Sequence, residues 1–272
     1  LESKQGDPRP VGIFDSGIGG LTVAQAIHRI LPGEQLIYVG DTAHMPYGDK
    51  SIELIRTYSI RIAQYLIDTH DCKALVIACN TASAAAYEYL RDQLKGKVPV
   101  INVIDPMVEF LVASHQIKHP GIIATKTTIG SGVYQEKLKR RKPGLQFSAL
   151  ATPLLAPMIE EGFYNNSVSH AILHEYLEQA ELKNIDSLVL ACTHYPLIKK
   201  EIEEYYGPGV NIIDSAMVVA EKLKYLLTKE NLLHPSGKKK NDQFLVTDYA
   251  PHFEKTTRIF YGEGIHLEKI DL

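Results

Sequence analysis

Ala74-Leu-Val-Ile-Ala-Cys79-Asn80-Thr81 returns later in the chain as Ser187-Leu-Val-Leu-Ala-Cys192-Thr193-His194. Each copy is a short apolar run closed by a cysteine and then by polar residues. The run is too short for a helix, and its unbroken apolarity suits a strand buried on both faces of a parallel sheet. Each cysteine then stands at its strand's carboxyl end, the edge where open α/β sheets hold their ligands.

Outward from these two strands the grammar is regular. Pro10 to Asp15 reads as a strand, Ser16-Gly-Ile-Gly-Gly20 as a glycine-rich turn, and Leu21 to Leu31 as a helix stopped by Pro32-Gly33. Leu36 to Gly40 is a second strand, and Ser51 to Asp68 an amphipathic helix that buries Ile52, Ile55, Tyr58, Ile62 and Tyr65. The first cysteine strand leads to a helix over Ala82 to Leu94 and a strand over Val98 to Ile104. Asp105-Pro106 then starts a helix with proline in its first position.

The second half repeats the pattern. His119 to Ala124 is a strand, Thr125 to Thr128 a polar turn, Gly132 to Arg140 a helix and Gln146 to Ala151 a strand. A helix over Ser167 to Leu182 precedes the second cysteine strand, and Val210 to Ser215 enters a helix running to Lys229. The tail adds a strand over Gln243 to Thr247 and a helix after Pro251. Matching elements keep a nearly constant offset: Asp15 and Thr125 lie 110 residues apart, Thr42 and Thr152 also 110, Cys79 and Cys192 113, Asp105 and Asp214 109.

All βα units look somewhat alike, but four in the same order at one offset point to a duplication. The fold expected is α/β: two similar parallel-sheet α/β domains related by pseudo-twofold symmetry, with a site in the cleft between them. The first domain takes residues 1–97 and 211–272, the second 98–210.

Composition narrows the function classes. The 272 residues carry a net charge of -3, with 45% hydrophobic and 22% charged residues, which is ordinary for a globular protein and argues against a nucleic-acid footprint spread over the whole surface. Lys238-Lys239-Lys240, beside Ser236-Gly237, reads as a solvated loop. No stretch approaches the roughly 20 apolar residues of a membrane span. The polar start, Leu1 to Pro8, lacks the apolar core of a signal peptide. Three cysteines are too few, and odd in number, for a secreted disulfide framework, so a cytoplasmic protein is expected.

The paired context singles out Cys79 and Cys192 as functional, whereas Cys72, on a helix–strand connection, reads as a small buried hydrophobe. A Cys79–Cys192 disulfide fits a cytoplasmic protein poorly, and Cys79, Cys192 and His194 lack a clear fourth ligand for a closed metal site. The turn after Asp15 fails the dinucleotide pattern, because Thr22 stands where the last glycine belongs, and it has no phosphate-loop lysine. It places a carboxylate and small residues at a strand end; the competing reading is a capped turn built on Asp15 and Ser16. Pro46-Tyr47-Gly48 either projects a tyrosine hydroxyl over the cleft or packs it. Asn80-Thr81 and Thr193-His194 offer donors at helix amino termini, suited to an anionic substrate, and Thr125 and Thr128 add a contact from the second domain. Glu160 either orients His194 or is a surface glutamate.

With Asp-Ser-Gly-x-Gly-Gly, Pro-Tyr-Gly, Ala-Cys-Asn-Thr and Ala-Cys-Thr-His in this order, the sequence closely resembles the bacterial glutamate racemases of the cofactor-independent aspartate/glutamate racemase superfamily. The resemblance covers nearly the whole chain. It implies interconversion of L- and D-glutamate for peptidoglycan, without pyridoxal phosphate or metal, by a homodimer whose partner is a small molecule. It further implies Cys79 and Cys192 as acid/base residues on opposite faces of the substrate, Asp15 and His194 as assistants to the nearer thiol, and Glu160 as the carboxylate associated with His194. Asp15, Ser16, Tyr47, Gly48, Asn80, Thr81, Thr193 and His194 would contact glutamate. Aspartate racemase or another superfamily isomerase is the enzymatic alternative. A two-lobed amino-acid binding protein is the non-enzymatic one, which gives no reason for paired thiols.

The stereochemistry explains why two thiols are wanted. A proton leaves one face of the α-carbon and another arrives on the opposite face, which one base does not easily do. Only a few per cent of an ordinary thiol is ionised near neutral pH, so helix amino termini and His194 are expected to favour thiolate.

Overall fold

The computed structural model describes residues 6–235, 240–250, 253–262 and 264–272. Leu1 to Gln5, Pro251 and the 236–239 part of the lysine-bearing loop lie outside the described residues.

The first half runs β1 (Val11–Asp15), α1 (Leu21–Ile30), β2 (Leu36–Gly40), α2 (Ile52–Asp68), β3 (Ala74–Ile77), α3 (Asn80–Gln93), β4 (Val100–Asn102) and α4 (Ile104–Ala113). The second runs β5 (Pro120–Ala124), α5 (Lys126–Gly130), α6 (Val133–Arg141), β6 (Ser148–Ala151), α7 (Leu155–Glu160), α8 (Ser167–Leu177), β7 (Ser187–Ala191), α9 (Lys199–Tyr206), β8 (Asn211–Asp214) and α10 (Ser215–Lys229). The tail supplies β9 (Gln243–Val246), α11 (Phe253–Tyr261) and β10 (Leu267–Lys269).

Among the described residues the strands form two sheets, β10-β9-β2-β1-β3-β4 and β6-β5-β7-β8. Every pairing is parallel. The order β2-β1-β3-β4 recurs as β6-β5-β7-β8, so the constant offset in sequence corresponds to a repeated topology. β1, β2, β3, β5 and β7 are buried at every residue, as strands covered on both faces must be.

Alternation along the first sheet divides its core. Ile13, Tyr38 and Val76 belong to a cluster that continues into the second domain through Ile122, Leu190 and Val219. Phe14, Ile37, Val39 and Ile77 face the other way, under α2 and α3. α10 leaves the second sheet and packs on α1 and α4, which carries the chain back to the first domain. Burial of a charge needs compensation: Lys73 and Glu34, 0% and 2% exposed, pair at 2.6 Å, Lys73 Nζ also donates to the Asp7 carbonyl, and Glu34 Oε1 accepts from the His234 N–H.

Several boundaries differ from the sequence reading. Sheet membership puts β4 with the first sheet and β8 with the second, one strand later than divisions at 97/98 and 210/211. α4 begins at Ile104, where Asn102 Oδ1 accepts from the N–H of Ile104 and Asp105 at 2.7 Å, so Pro106 is the third helical residue. The helix after Asn166 ends at Leu177 and only a 3-10 turn, Ala180–Leu182, follows. Ile52 is 39% exposed, while Ile55 and Ile62 form the buried stripe of α2. The turn at Thr125 is a helix start, with Thr125 Oγ1 accepting from the Thr128 N–H at 3.3 Å.

Candidate active site

β1 ends at Asp15, whose carboxylate folds the glycine-rich turn around itself. Oδ2 accepts from the N–H of Gly17 at 3.0 Å and of Gly20 at 3.1 Å, and the Tyr38 hydroxyl donates to the Gly17 carbonyl at 2.7 Å. Asp15 is fully buried, and burial raises its pKa against the pull of His194 and the two N–H groups. It therefore stands beneath the loop, and Ser16 is the loop residue that faces the cleft.

β3 delivers Cys79 to the mouth of α3. The helix starts at Asn80, two residues earlier than the sequence predicted, so Cys79 is its N-cap and Sγ accepts from the Ala82 N–H at 3.4 Å. The thiol donates to Ser16 Oγ at 3.5 Å. Burial, followed by the Asp15 charge, outweighs these bonds and pushes the Cys79 pKa up to about 12. At this cysteine burial opposes the expected preference for thiolate and favours the thiol.

β7 delivers Cys192 to a different setting. Its Sγ lies 3.7 Å from His194 Nδ1, and His194 Nε2 lies 2.9 Å from Glu160 Oε1, at the end of α7. Burial alone would lower the His194 pKa; the Cys192 sulfur and the Glu160 carboxylate outweigh it and hold the imidazole well above its ordinary value. Phe260 meets the ring edge-on, centroid to centroid 5.4 Å. Thr193 Oγ1 reaches across to Asp15 Oδ1 at 3.5 Å, which ties the two cysteine loops together.

The two domains also meet through threonines. Thr81 Oγ1 lies 2.9 Å from Thr125 Oγ1, which lies 3.0 Å from Thr128 Oγ1, and Thr127 Oγ1 donates to the Gly48 carbonyl at 2.6 Å. Tyr47 lines the cleft while its hydroxyl is held by a loop aspartate. The hydroxyl donates to Asp41 Oδ2 at 2.5 Å, and Asp41 Oδ1 in turn pairs with His44 and Thr247.

Between these walls lies a cavity with about 600 Å³ of empty space including its mouth. Ser16, Pro46, Tyr47, Gly48, Cys79, Asn80 and Thr81 line it from the first domain, and Thr125, Glu160, Cys192, Thr193 and His194 from the second. Asp15 and Thr128 are absent from that wall and support it from behind. Both sulfurs thus face one space from the carboxyl ends of equivalent strands.

The sequence profile of the Asp/Glu/Hydantoin racemase family matches residues 17–223. The glutamate racemase of Chlorobaculum tepidum is 41% identical over 261 residues, 96% of this chain and 95% of that protein. That of Sulfurihydrogenibium sp. is 43% identical over 263 residues, 97% of both chains. The chain belongs to the Asp/Glu/Hydantoin racemase family. Its fold agrees: the crystal structure of the Francisella tularensis glutamate racemase in complex with D-glutamate superposes with a TM-score of 0.90, at 37% identity, over 97% of this chain and 98% of that one. The protein is a racemase, an isomerase of the two-domain racemase fold.

Other residues of this racemase wall were not legible in the sequence. Asp49, Lys126, Pro153, Ala156 and Pro157 also line the cavity. Lys126 carries a usable signal, a lysine next to Thr125 in a polar turn at a strand end, whereas Pro153, Ala156 and Pro157 carry none beyond their place ahead of Glu160. All three cysteines are free thiols, and among the described residues no cluster of three or more His, Cys, Asp or Glu is placed to hold a metal ion.

Proposed function

We propose that this racemase interconverts L- and D-glutamate by two-cysteine proton transfer at the α-carbon, and so supplies D-glutamate for peptidoglycan. The observation that carries the reading is that Cys79 and Cys192, from equivalent strands of the two sheets, line one cavity. One sulfur, as thiolate, takes the α-proton; the other, as thiol, gives its proton to the opposite face, and the configuration inverts. Glutamate is favoured as substrate because the relatives named above are glutamate racemases, one of them in complex with D-glutamate.

The two half-sites differ in their assistance. Negative charge arising on Cys192 Sγ meets a charged His194 3.7 Å away, itself held by Glu160. Cys79 has the Ala82 N–H, Ser16 and a buried Asp15 nearby instead. Asp15 accepts or shuttles a proton on that side. Asn80, Thr81 and Thr193 donate to the substrate carboxylate as charge moves onto it from the α-carbon. Free thiols suit a reducing, cytoplasmic setting. No described helix is long and apolar enough to cross a membrane. The proposed homodimer rests on the resemblance alone.

The test is a circular dichroism assay of each glutamate enantiomer, with L-aspartate in parallel, on wild type, Cys79→Ala and Cys192→Ala. Each variant should lose racemisation while still binding glutamate. Near wild-type turnover by either variant would sink the two-base mechanism; preferential turnover of aspartate would sink the substrate.

A further inference from the structure

Asn80 follows the first cysteine and opens α3, and its side chain, 2% exposed, stands at the cavity wall. The two arms of its amide are in different states. Oδ1 accepts from the Tyr134 hydroxyl at 3.2 Å, whereas Nδ2 is buried and has no hydrogen-bond partner among the described residues. A buried donor without an acceptor is costly, and native structures keep few of them. One that sits in a cleft is accounted for when a ligand supplies the acceptor.

Tyr134 belongs to α6 of the other domain and is itself 1% exposed. Burial, with the Asp105 charge adding to it, raises its pKa, so the hydroxyl remains a proton donor at any pH the enzyme meets. Asn80 Oδ1 is its acceptor. If the amide turned over, Nδ2 would donate to the hydroxyl oxygen, but the tyrosine proton would lose its acceptor and a carbonyl oxygen would take the unpartnered place that Nδ2 now holds. A carbonyl there repels a carboxylate; an N–H donates to it.

We infer that Tyr134 is a positioning residue that fixes the orientation of the Asn80 amide, reserving Nδ2 for an anionic oxygen of the substrate. The inference rests on the amino-acid racemase reading above and adds a residue that the sequence motifs do not contain. Because Tyr134 and Asn80 come from different domains, the donor is set only when the domains stand in this arrangement. Substrate recognition at that point is thereby coupled to domain placement.

The experiment compares wild type, Tyr134→Phe, Asn80→Ala, Asn80→Asp and the Tyr134→Phe/Asn80→Ala double variant. It measures kcat and KM from both glutamate enantiomers, the Kd of D-glutamate by calorimetry, and Tm. Tyr134→Phe keeps the ring and removes only the hydroxyl. Its kcat/KM should fall about tenfold, mostly through KM, on the scale of one hydrogen bond, with Tm lower by only about 2–4 °C for the buried bond lost. Asn80→Asp keeps an acceptor for Tyr134 but turns the inward donor into an acceptor, so it should lose more than Asn80→Ala.

The double variant should be no worse than Asn80→Ala alone, because Tyr134 acts through Asn80. Additive losses, or a Tyr134→Phe enzyme with wild-type KM and Kd, would overturn the assignment. A wild-type protein that binds D-glutamate without racemising it counts against the proposed function instead, and the Kd series then decides Tyr134 by itself.

Discussion

Gly19 of the first domain and His194 of the second approach so closely that a Cβ on Gly19 would lie 2.7 Å from the imidazole Cε1 and 2.8 Å from Nδ1. The same Cβ would stand 2.7 Å from Thr193 Oγ1. The glycine is required by this approach, since its backbone does not adopt a positive φ. The loop of one half-site is thus the packing surface for the histidine of the other.

Gly19→Ala should therefore act on the chemistry. His194 and Thr193 are each 5% exposed and have little room to turn away, so the imidazole must shift relative to Cys192 or Glu160. A displacement near 1 Å in a catalytic group costs on the order of a hundredfold in rate. We expect kcat to fall by about that factor with an unchanged circular dichroism spectrum. A kcat equal to wild type would show that the loop yields without disturbing His194.

Glu160→Gln should change the pH dependence as well as the rate. The carboxylate, with the Cys192 sulfur, holds the His194 pKa well above its ordinary value against burial; without the carboxylate less opposes burial and the imidazole loses its proton at lower pH. If charged His194 assists Cys192, the ratio of variant to wild-type kcat/KM should fall as pH rises from about 6 to about 9, by roughly tenfold for each unit of pKa lost. A ratio constant with pH would assign Glu160 a packing role only.

How much of this was visible beforehand follows from what fixes each feature. Strands buried on both faces must be apolar runs, so Ala74–Ile77 and Ser187–Ala191 stood out, as did the duplication they belong to. Which sheet β4 and β8 join is decided by long-range pairing with β3 and β7, which no local pattern encodes. β10 was missed because only Leu267 of its three residues is buried, and α9 because Lys199–Tyr206 is short and mostly charged, with Ile202 its one buried apolar residue.

The site divides the same way. Residues at strand ends and in glycine-rich turns could be named, because the chemistry and the turn share one short stretch. The sequence left the Tyr47 hydroxyl open between the cleft and packing, because its partner, Asp41, is an ordinary loop aspartate until the fold buries it 2.5 Å away. Tyr134 was invisible because its partner, Asn80, is 54 residues distant and in the other domain.

Cys72 provides a test of the structural role read for the third thiol. It is fully buried beside Gly12, and burial, with Asp71 adding to it, pushes its pKa from 9.0 to about 12. Because the folded value lies above the unfolded one, the stabilisation is complete below pH 9 and is lost as pH rises toward 12. Cys72→Ala removes the sulfur and should cost about 1 kcal/mol near neutral pH through the small void it leaves. Above pH 9 wild type must keep a neutral thiol buried, at about 1.4 kcal/mol per pH unit, while the variant pays nothing at this position. The two unfolding curves should therefore converge by roughly pH 10, measured by denaturant titration, with neither curve flat because Cys79 carries a similar shift. Racemisation by Cys72→Ala should match wild type. A stability gap that stays constant as pH rises would mean that Cys72 ionises in the folded protein as freely as in the unfolded chain.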